Sequence, residues 1–132
     1  EEIVRMALNY NLAGIIATNT STDYSILGKN SNFHKGGVSG KPLFTRSTKI
    51  LAQLSIISEG QIPLIGVGGI SSGNDVFEKI CAGATAVQLY SALAFSGPEL
   101  LSSLLQDLNA LLKNYGFNHI SEAVGSKKYE YV

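Results

Sequence analysis

Apolar residues in this chain follow two alternating rhythms. Ile3, Val4, Ala7 and Leu8 recur at helical spacing, and residues 11–14 stop that pattern. Gly14-Ile15-Ile16-Ala17-Thr18 follows at once as a short β-branched run, which predicts a strand buried on both faces, as in a parallel sheet. Residues 19–44 form a long polar segment rich in Ser, Asn and Gly, a length of loop that is often functional. Helical spacing returns with Ile50, Leu51, Leu54 and Ile56 or Ile57, with Ser47 or Thr48 as the expected N-cap and Gly60 as the stop.

A second buried strand is read in Ile62-Pro63-Leu64-Ile65-Gly66-Val67, where Pro63 is tolerable near the start. Gly68-Gly69-Ile70-Ser71-Ser72-Gly73 is a glycine-rich turn into a helix over about 74–82 that carries Val76, Phe77, Ile80 and Cys81. Ala84-Thr85-Ala86-Val87-Gln88-Leu89-Tyr90 predicts a third strand. After Gly97-Pro98, a leucine stripe from Leu100 to Leu112 predicts the clearest helix, closed by Gly116, and 120–124 a short last one. Strands alternating with helices imply right-handed crossovers and an α/β fold with a parallel sheet.

Composition narrows the picture further. Hydrophobic residues are 45% and charged residues 15% of the 132, a globular balance. Ten Lys+Arg offset ten Asp+Glu, so the basic excess of an electrostatic nucleic-acid binder is absent. Cys81 is the only cysteine, which rules out an intrachain disulfide and fits a reducing compartment. No apolar run approaches the roughly 20 residues of a membrane-spanning helix. The opening Glu1-Glu2-Ile3-Val4-Arg5 has no signal-peptide pattern and reads like the middle of a helix, so a chain cut from something longer is expected.

In parallel α/β folds, ligands bind at the C-terminal ends of strands. Those ends are Thr18-Asn19-Thr20, Gly66-Val67-Gly68-Gly69 and Gln88-Leu89-Tyr90-Ser91. Gly68-Gly69 before Ser71, Ser72 and a helix is a phosphate-site pattern, since glycines admit an anion and helix-start N–H groups point at it. The alternative is a tight strand-to-helix turn. Asn19 carries donors and an acceptor suited to a planar ligand, or else closes an Asx turn. Gly36-Gly37-Val38-Ser39-Gly40 either brings backbone to a flat ring or is simply flexible. Cys81 reads as a buried small hydrophobe. His34 and His119 read as surface residues without metal-ligand spacing. Lys127-Lys128 reads as a solvated basic tail, and Asp75 and Glu78 as companions of a first helical turn. No nucleophile-and-base constellation is present.

Taken in order, Ile16-Ala17-Thr18-Asn19-Thr20, Gly36-Gly37-Val38-Ser39-Gly40-Lys41-Pro42-Leu43, Ser47-Thr48, the run 62–73, Glu78-Lys79-Ile80, Ala82-Gly83-Ala84, Val87-Gln88-Leu89-Tyr90-Ser91 and Glu122-Ala123-Val124-Gly125 resemble the class 2 dihydroorotate dehydrogenases. Any one piece is weak; the ordered series at matching spacing is specific.

The resemblance implies the C-terminal part, about strands six to eight, of an FMN-binding (β/α)₈ TIM barrel, which is complete at about 250 residues. It implies oxidation of dihydroorotate to orotate in pyrimidine synthesis, with a quinone as electron acceptor. Thr18, Gly40, Gly69, Tyr90 and Ser91 would contact FMN, the last three around its phosphate. Ser91 stands where many members have Thr, which keeps the hydroxyl. Asn19 and Thr20 would bind the substrate's ring and carboxylate. The family's serine base, a flavin-supporting lysine and the hydrophobic quinone- and membrane-contacting helices all lie earlier and have no counterpart here. The expectation is a catalytically inactive fragment on its own. It would pair with the remainder of the barrel in a protein associated with a bacterial inner or mitochondrial inner membrane. The rival readings are a flavin-free phosphate-binding barrel enzyme and a non-catalytic interaction fragment.

Overall fold

The computed structural model describes residues 1–28 and 36–132; His34 lies outside them. Its frame is a three-stranded parallel sheet in the order β1 (Ile15–Ala17), β2 (Leu64–Val67), β3 (Ala86–Gln88). The register pairs Ile16 with Ile65 and Ile65 with Ala86, and Ala17 with Gly66 and Gly66 with Val87. All three strands therefore end at one level.

One face of this sheet is covered by helices. Leu64 and Gly66 are buried there, against α2 (Phe44–Ser58) and α3 (Gly73–Ala82). The core also holds Leu51, Val76, Phe77, Ile80, Cys81, Leu104 and Leu108. Each large apolar side chain of this kind contributes about 1.5–3 kcal/mol on burial. The other face corrects the expectation of strands buried on both sides. Ile16 is 59% exposed, its register partner Ile65 is half-buried, and Ala86 is exposed. An apolar sheet face without helices over it is what three strands of a barrel present when nothing lies opposite.

The helices follow local rules, with some shifts from expectation. α1 (Glu2–Asn9) buries Val4 and Ala7. α2 starts at Phe44, so Ser47 and Thr48 are not its caps. A 3₁₀ turn, Lys41–Leu43, with Pro42 in it, leads into the helix and moves its start forward. At the far end Glu59 takes the left-handed conformation one residue before Gly60. α2 sets Leu51, Ala52 and Leu54 against the core, while Ile56 is half-buried and Ile57 exposed.

α3 is closed by a full capping box: the Ser72 side chain accepts from the Asp75 N–H, and the Asp75 carboxylate accepts from the Ser72 N–H. Ser91–Ser96 forms a helix, α4, that periodicity alone does not predict. α5 (Glu99–Asn114) sets Leu104 and Leu108 against α3, while Leu105 stays exposed.

The end of the chain folds back onto the helix layer. α6 (Ile120–Ala123) is capped by His119, whose ring accepts from the Ser121 N–H. The Gly125 and Lys127 N–H groups donate to the Ile80 and Cys81 carbonyls. Lys127 is consequently not a solvated tail. It is half-buried, with Nζ 4.2 Å from the centre of the Tyr115 ring. Cys81 is fully buried, and burial raises its thiol pKa.

Candidate functional site

The common level of the strand ends gathers the polar residues. A cavity of about 290 Å³ opens at the C-terminal edge of the sheet. Thr18, Asn19, Thr20, Gly40, Gly69, Tyr90 and Ser91 all line it. They come from three strand ends and from a strap, residues 36–40, that crosses in front.

Thr18 continues β1 and donates its N–H to the Val67 carbonyl at 3.1 Å; the peptide before it is cis. The Thr20 N–H donates to Asn19 Oδ1 at 2.8 Å, a bond to the next residue and not the Asx turn, which would reach two residues on. That bond engages the acceptor edge of the Asn19 amide, and what Asn19 offers a ligand is its Nδ2 donors.

The strap is fixed to these residues. Ser21 and Val38 exchange backbone hydrogen bonds at 2.7 and 3.1 Å. A Cβ on Gly37 would stand 2.1 Å from Thr20 Oγ1, so only glycine lets the strap lie this close. Gly40 approaches Ser91, whose Oγ donates to Ser39 Oγ at 3.1 Å. Asp23 anchors the loop before the strap. It accepts from the Ser25 N–H and hydroxyl and pairs with Arg46 of α2 at 2.9 Å. The Ser25 hydrogen bonds, ahead of the Arg46 guanidinium, lower its carboxyl pKa. The Tyr24 hydroxyl donates to the Gly36 carbonyl.

Beyond the strap lies a second cavity of about 640 Å³, which shares Gly40, Ile70 and Ser91 with the first and adds Tyr24, Leu27 and Phe95. The two adjoin at these shared residues, and apolar surface predominates in both.

The glycine turn differs from expectation in one respect. The N–H groups at the start of α3 do not point at an anion. Asp75 Oδ2 accepts from the Ser71 and Ser72 N–H groups at 2.8 and 2.9 Å and from the Ser71 hydroxyl at 3.0 Å. The Ser71 and Ser72 N–H groups are thus engaged within the chain, while Gly68, Gly69, Tyr90 and Ser91 line the cavity. The signal for this was in the sequence: Asp75 is three residues beyond Ser72, the spacing of a capping box. Gly69 has φ +82°, and its Cβ would meet the Phe44 backbone. Tyr90 is 83% exposed at the cavity rim.

One residue of this region is missed altogether by reasoning from sequence. Lys79, on α3 beneath the glycine turn, is fully buried, with Nζ 2.5 Å from Ser47 Oγ. Burial lowers its pKa to about 8, against smaller opposing effects of Asp75 and Glu78. Among the described residues no group of three or more His, Cys, Asp or Glu could hold a metal ion, and no helix is long and apolar enough to cross a membrane.

Comparison with known proteins agrees with this geometry. Residues 1–112 match the family model for dihydroorotate dehydrogenase. The chain is 45% identical over 131 residues to dihydroorotate dehydrogenase (quinone) of Cereibacter sphaeroides, covering 99% of this chain and 37% of that protein. It is 44% identical to the mitochondrial dihydroorotate dehydrogenase (quinone) of Mus musculus, covering 95% of this chain and 32% of that one. Among solved structures, DHODH from Eimeria tenella in complex with ferulenol superimposes with a TM-score of 0.87 at 34% identity, over 94% of this chain and 33% of that chain. The ligand-free form gives 0.84 at 32%, over 95% and 35%. The chain thus spans about a third of the length of the relatives it matches, and its sheet is part of a TIM barrel. A family model that covers most of the chain, and solved folds that superimpose on nearly all of it, place this chain in the dihydroorotate dehydrogenase family.

Proposed function

We propose that the protein containing this chain is a quinone-dependent dihydroorotate dehydrogenase that uses FMN to oxidise dihydroorotate to orotate. The observation that carries this reading is the convergence of Thr18, Asn19, Thr20, Gly40, Gly69, Tyr90 and Ser91 on one cavity at the strand ends.

The residues present fit a flavin nucleotide. The Gly68–Gly69 turn offers backbone without side chains at positive φ, and the Tyr90–Ser91 turn adds a hydroxyl beside it, which suits a phosphate. Gly40, with φ +77°, brings the strap against Ser91 and narrows the cavity from the front, which suits a flat ring. Bound there, the flavin would supply acceptance of a hydride from the substrate. The chain's own contribution is positioning. Asn19 Nδ2 donates to the substrate's carbonyl edge, and the Thr20 hydroxyl to its carboxylate. The strap, held by Ser21–Val38 with the loop before it tied by Asp23–Arg46, packs against Thr20.

The proton-abstracting base belongs to another part of the protein. The uncovered face at Ile16, Ile65 and Ala86 belongs against the remaining strands of the barrel. The chain by itself is therefore inactive, and association with a membrane and a quinone would rest on segments outside it. The test is purification of the full-length protein. A yellow protein with one FMN per chain that reduces a quinone analogue when given dihydroorotate is expected. A colourless protein with neither flavin nor that activity refutes the reading.

A further inference from the structure

The buried lysine under the glycine turn has no evident purpose in packing. Lys79 is 0% exposed. Its Nζ donates to Ser47 Oγ at 2.5 Å and lies 5.1 Å from the centre of the Phe44 ring. Ser47 Oγ in turn lies 3.0 Å from the Gly68 carbonyl oxygen and 3.1 Å from that of Phe44. Its stem runs past Gly66 on β2, where a Cβ would stand in ordinary contact, 3.4 Å from Lys79 Cδ.

A buried ammonium is unfavourable unless an opposite charge meets it. Among the described residues, the ion pairs are Arg5–Glu2 and Arg46–Asp23, and neither includes Lys79. Asp75 and Glu78, both on α3, are the acids whose fields reach it, and the Asp75 carboxylate is occupied by Ser71 and Ser72. From α2 and β2 it faces Ser47, Phe44 and Gly66, none of them charged. An apolar side chain would occupy this space at less cost. A positive charge here calls for a counter-charge from outside the chain, and Ser47 links the lysine to Gly68, which with Gly69 lines a cavity.

We propose that Lys79 is a positioning residue for a phosphate group at the Gly68–Gly69 turn, holding the turn through Ser47 and supplying positive potential from beneath it. This rests on the reading of the cavity as the phosphate end of a flavin site. The peptide plane explains how the hold works. In a trans peptide the C=O and N–H point in opposite directions. Ser47 Oγ draws the Gly68 carbonyl toward α2, so the Gly69 N–H is turned away from α2 and into the cavity. The lysine charge polarises the chain of hydrogen bonds and strengthens that donor.

The test uses the full-length protein stripped of flavin and titrated separately with FMN and with riboflavin, which share the ring but not the phosphate. Lys79→Met is expected to weaken FMN binding about tenfold and riboflavin binding less than about twofold. Ser47→Ala, which keeps the charge but breaks the hold, is expected to shift the same ratio in the same direction. Equal losses for both ligands overturn the proposal, because they mark a purely structural role. Unchanged FMN affinity overturns it too. Wild-type protein that binds both ligands equally refutes the phosphate-site reading, a failure separate from that of Lys79 alone.

If neither variant folds, the wild-type protein still decides. The ratio of FMN to riboflavin affinity should fall as pH rises through the Lys79 pKa of about 8. The phosphate completes its second ionisation near pH 6, and the riboflavin control cancels changes in the ring and in the rest of the protein. A ratio that stays flat across this range overturns the proposal.

Discussion

A Cβ placed on Gly69 would lie 2.5 Å from the Cα of Phe44. The turn after β2 and the first residue of α2 are in backbone contact at that point. Neither side can yield by rotating a side chain. Gly69 also sits at φ +82°, where a Cβ costs about 1–2 kcal/mol even in open space.

Gly69→Ala should therefore destabilise the full-length protein by about 3 kcal/mol or more, the range of backbone-strain and overpacking changes. Its FMN content should fall with it. Thermal denaturation and the flavin absorbance of the purified variant check this. By comparison Gly36, whose Cβ would meet nothing within 4 Å, has only its φ of +95° to resist substitution. Gly36→Ala should cost about 1 kcal/mol and leave FMN content intact. Equal behaviour of the two variants would mean that the Phe44 contact does not shape the site.

Asn19 can be tested on turnover. It stands at the end of β1, its Oδ1 held by the Thr20 N–H, which fixes the amide before a ligand arrives. Removal of a fixed donor that orients a reacting ring costs about 100-fold in rate. Asn19→Ala in the full-length protein should lower kcat/KM for dihydroorotate by about that factor, with flavin content and melting temperature within error of wild type. Steady-state kinetics with a saturating quinone analogue measure it. Unchanged kinetics would remove Asn19 from substrate binding.

The strand ends were legible in the sequence because period and punctuation agreed there. Ile15-Ile16-Ala17, Leu64 to Val67 and Ala86-Val87-Gln88 are short β-branched or apolar runs between breakers, and all three form strands. Their C-terminal residues then met at one cavity because parallel strands in register must end together. Three features were not legible. α4 spans six residues, too short for an apolar stripe to stand out. Ser47 and Thr48 look like caps, but a 3₁₀ turn over Lys41–Leu43 leads into α2 upstream of them, and both are buried inside the helix. The burial of Lys79 is the third. Its place three residues after Val76 and one before Ile80, on the apolar side of α3, was the available sign, and it becomes decisive only when α3 is seen packed on α2 with Ser47 opposite.

The uncovered sheet face predicts a contrast between the chain alone and the whole protein. Ile16 is 59% exposed here, where a charge would cost little, about 0.5 kcal/mol. In a closed barrel the same position turns inward, where an unpaired charge costs about 3–5 kcal/mol. Ile16→Asp should thus leave the helical content and melting temperature of the 132-residue chain nearly unchanged and strongly destabilise the full-length protein. Circular dichroism on both, with and without the substitution, makes the comparison. A full-length protein as tolerant as the chain alone would argue against closure of a barrel over this face.

Lys79 gives a pH dependence whose sign can be worked out in advance. Its pKa falls from an ordinary 10.5 to about 8 in the folded chain, chiefly through burial. Below about pH 8 both folded and unfolded chains hold the proton, and the folded state bears the full penalty of the buried charge. Between 8 and 10.5 the unfolded chain keeps a proton that the folded one has lost. Stability therefore rises with pH across that window, by at most on the order of 3 kcal/mol. Denaturant unfolding of flavin-free protein at a series of pH values should show the rise in wild type and its loss in Lys79→Met, the difference between the two cancelling other titrations. A phosphate-bearing ligand acts in the opposite sense, since it favours the protonated lysine and binds more weakly as the proton leaves. With FMN bound, the rise should flatten. Were the slope the same with and without FMN, the buried ammonium would not be felt at the cavity, and the link from Lys79 through Ser47 to Gly68 would be structural only.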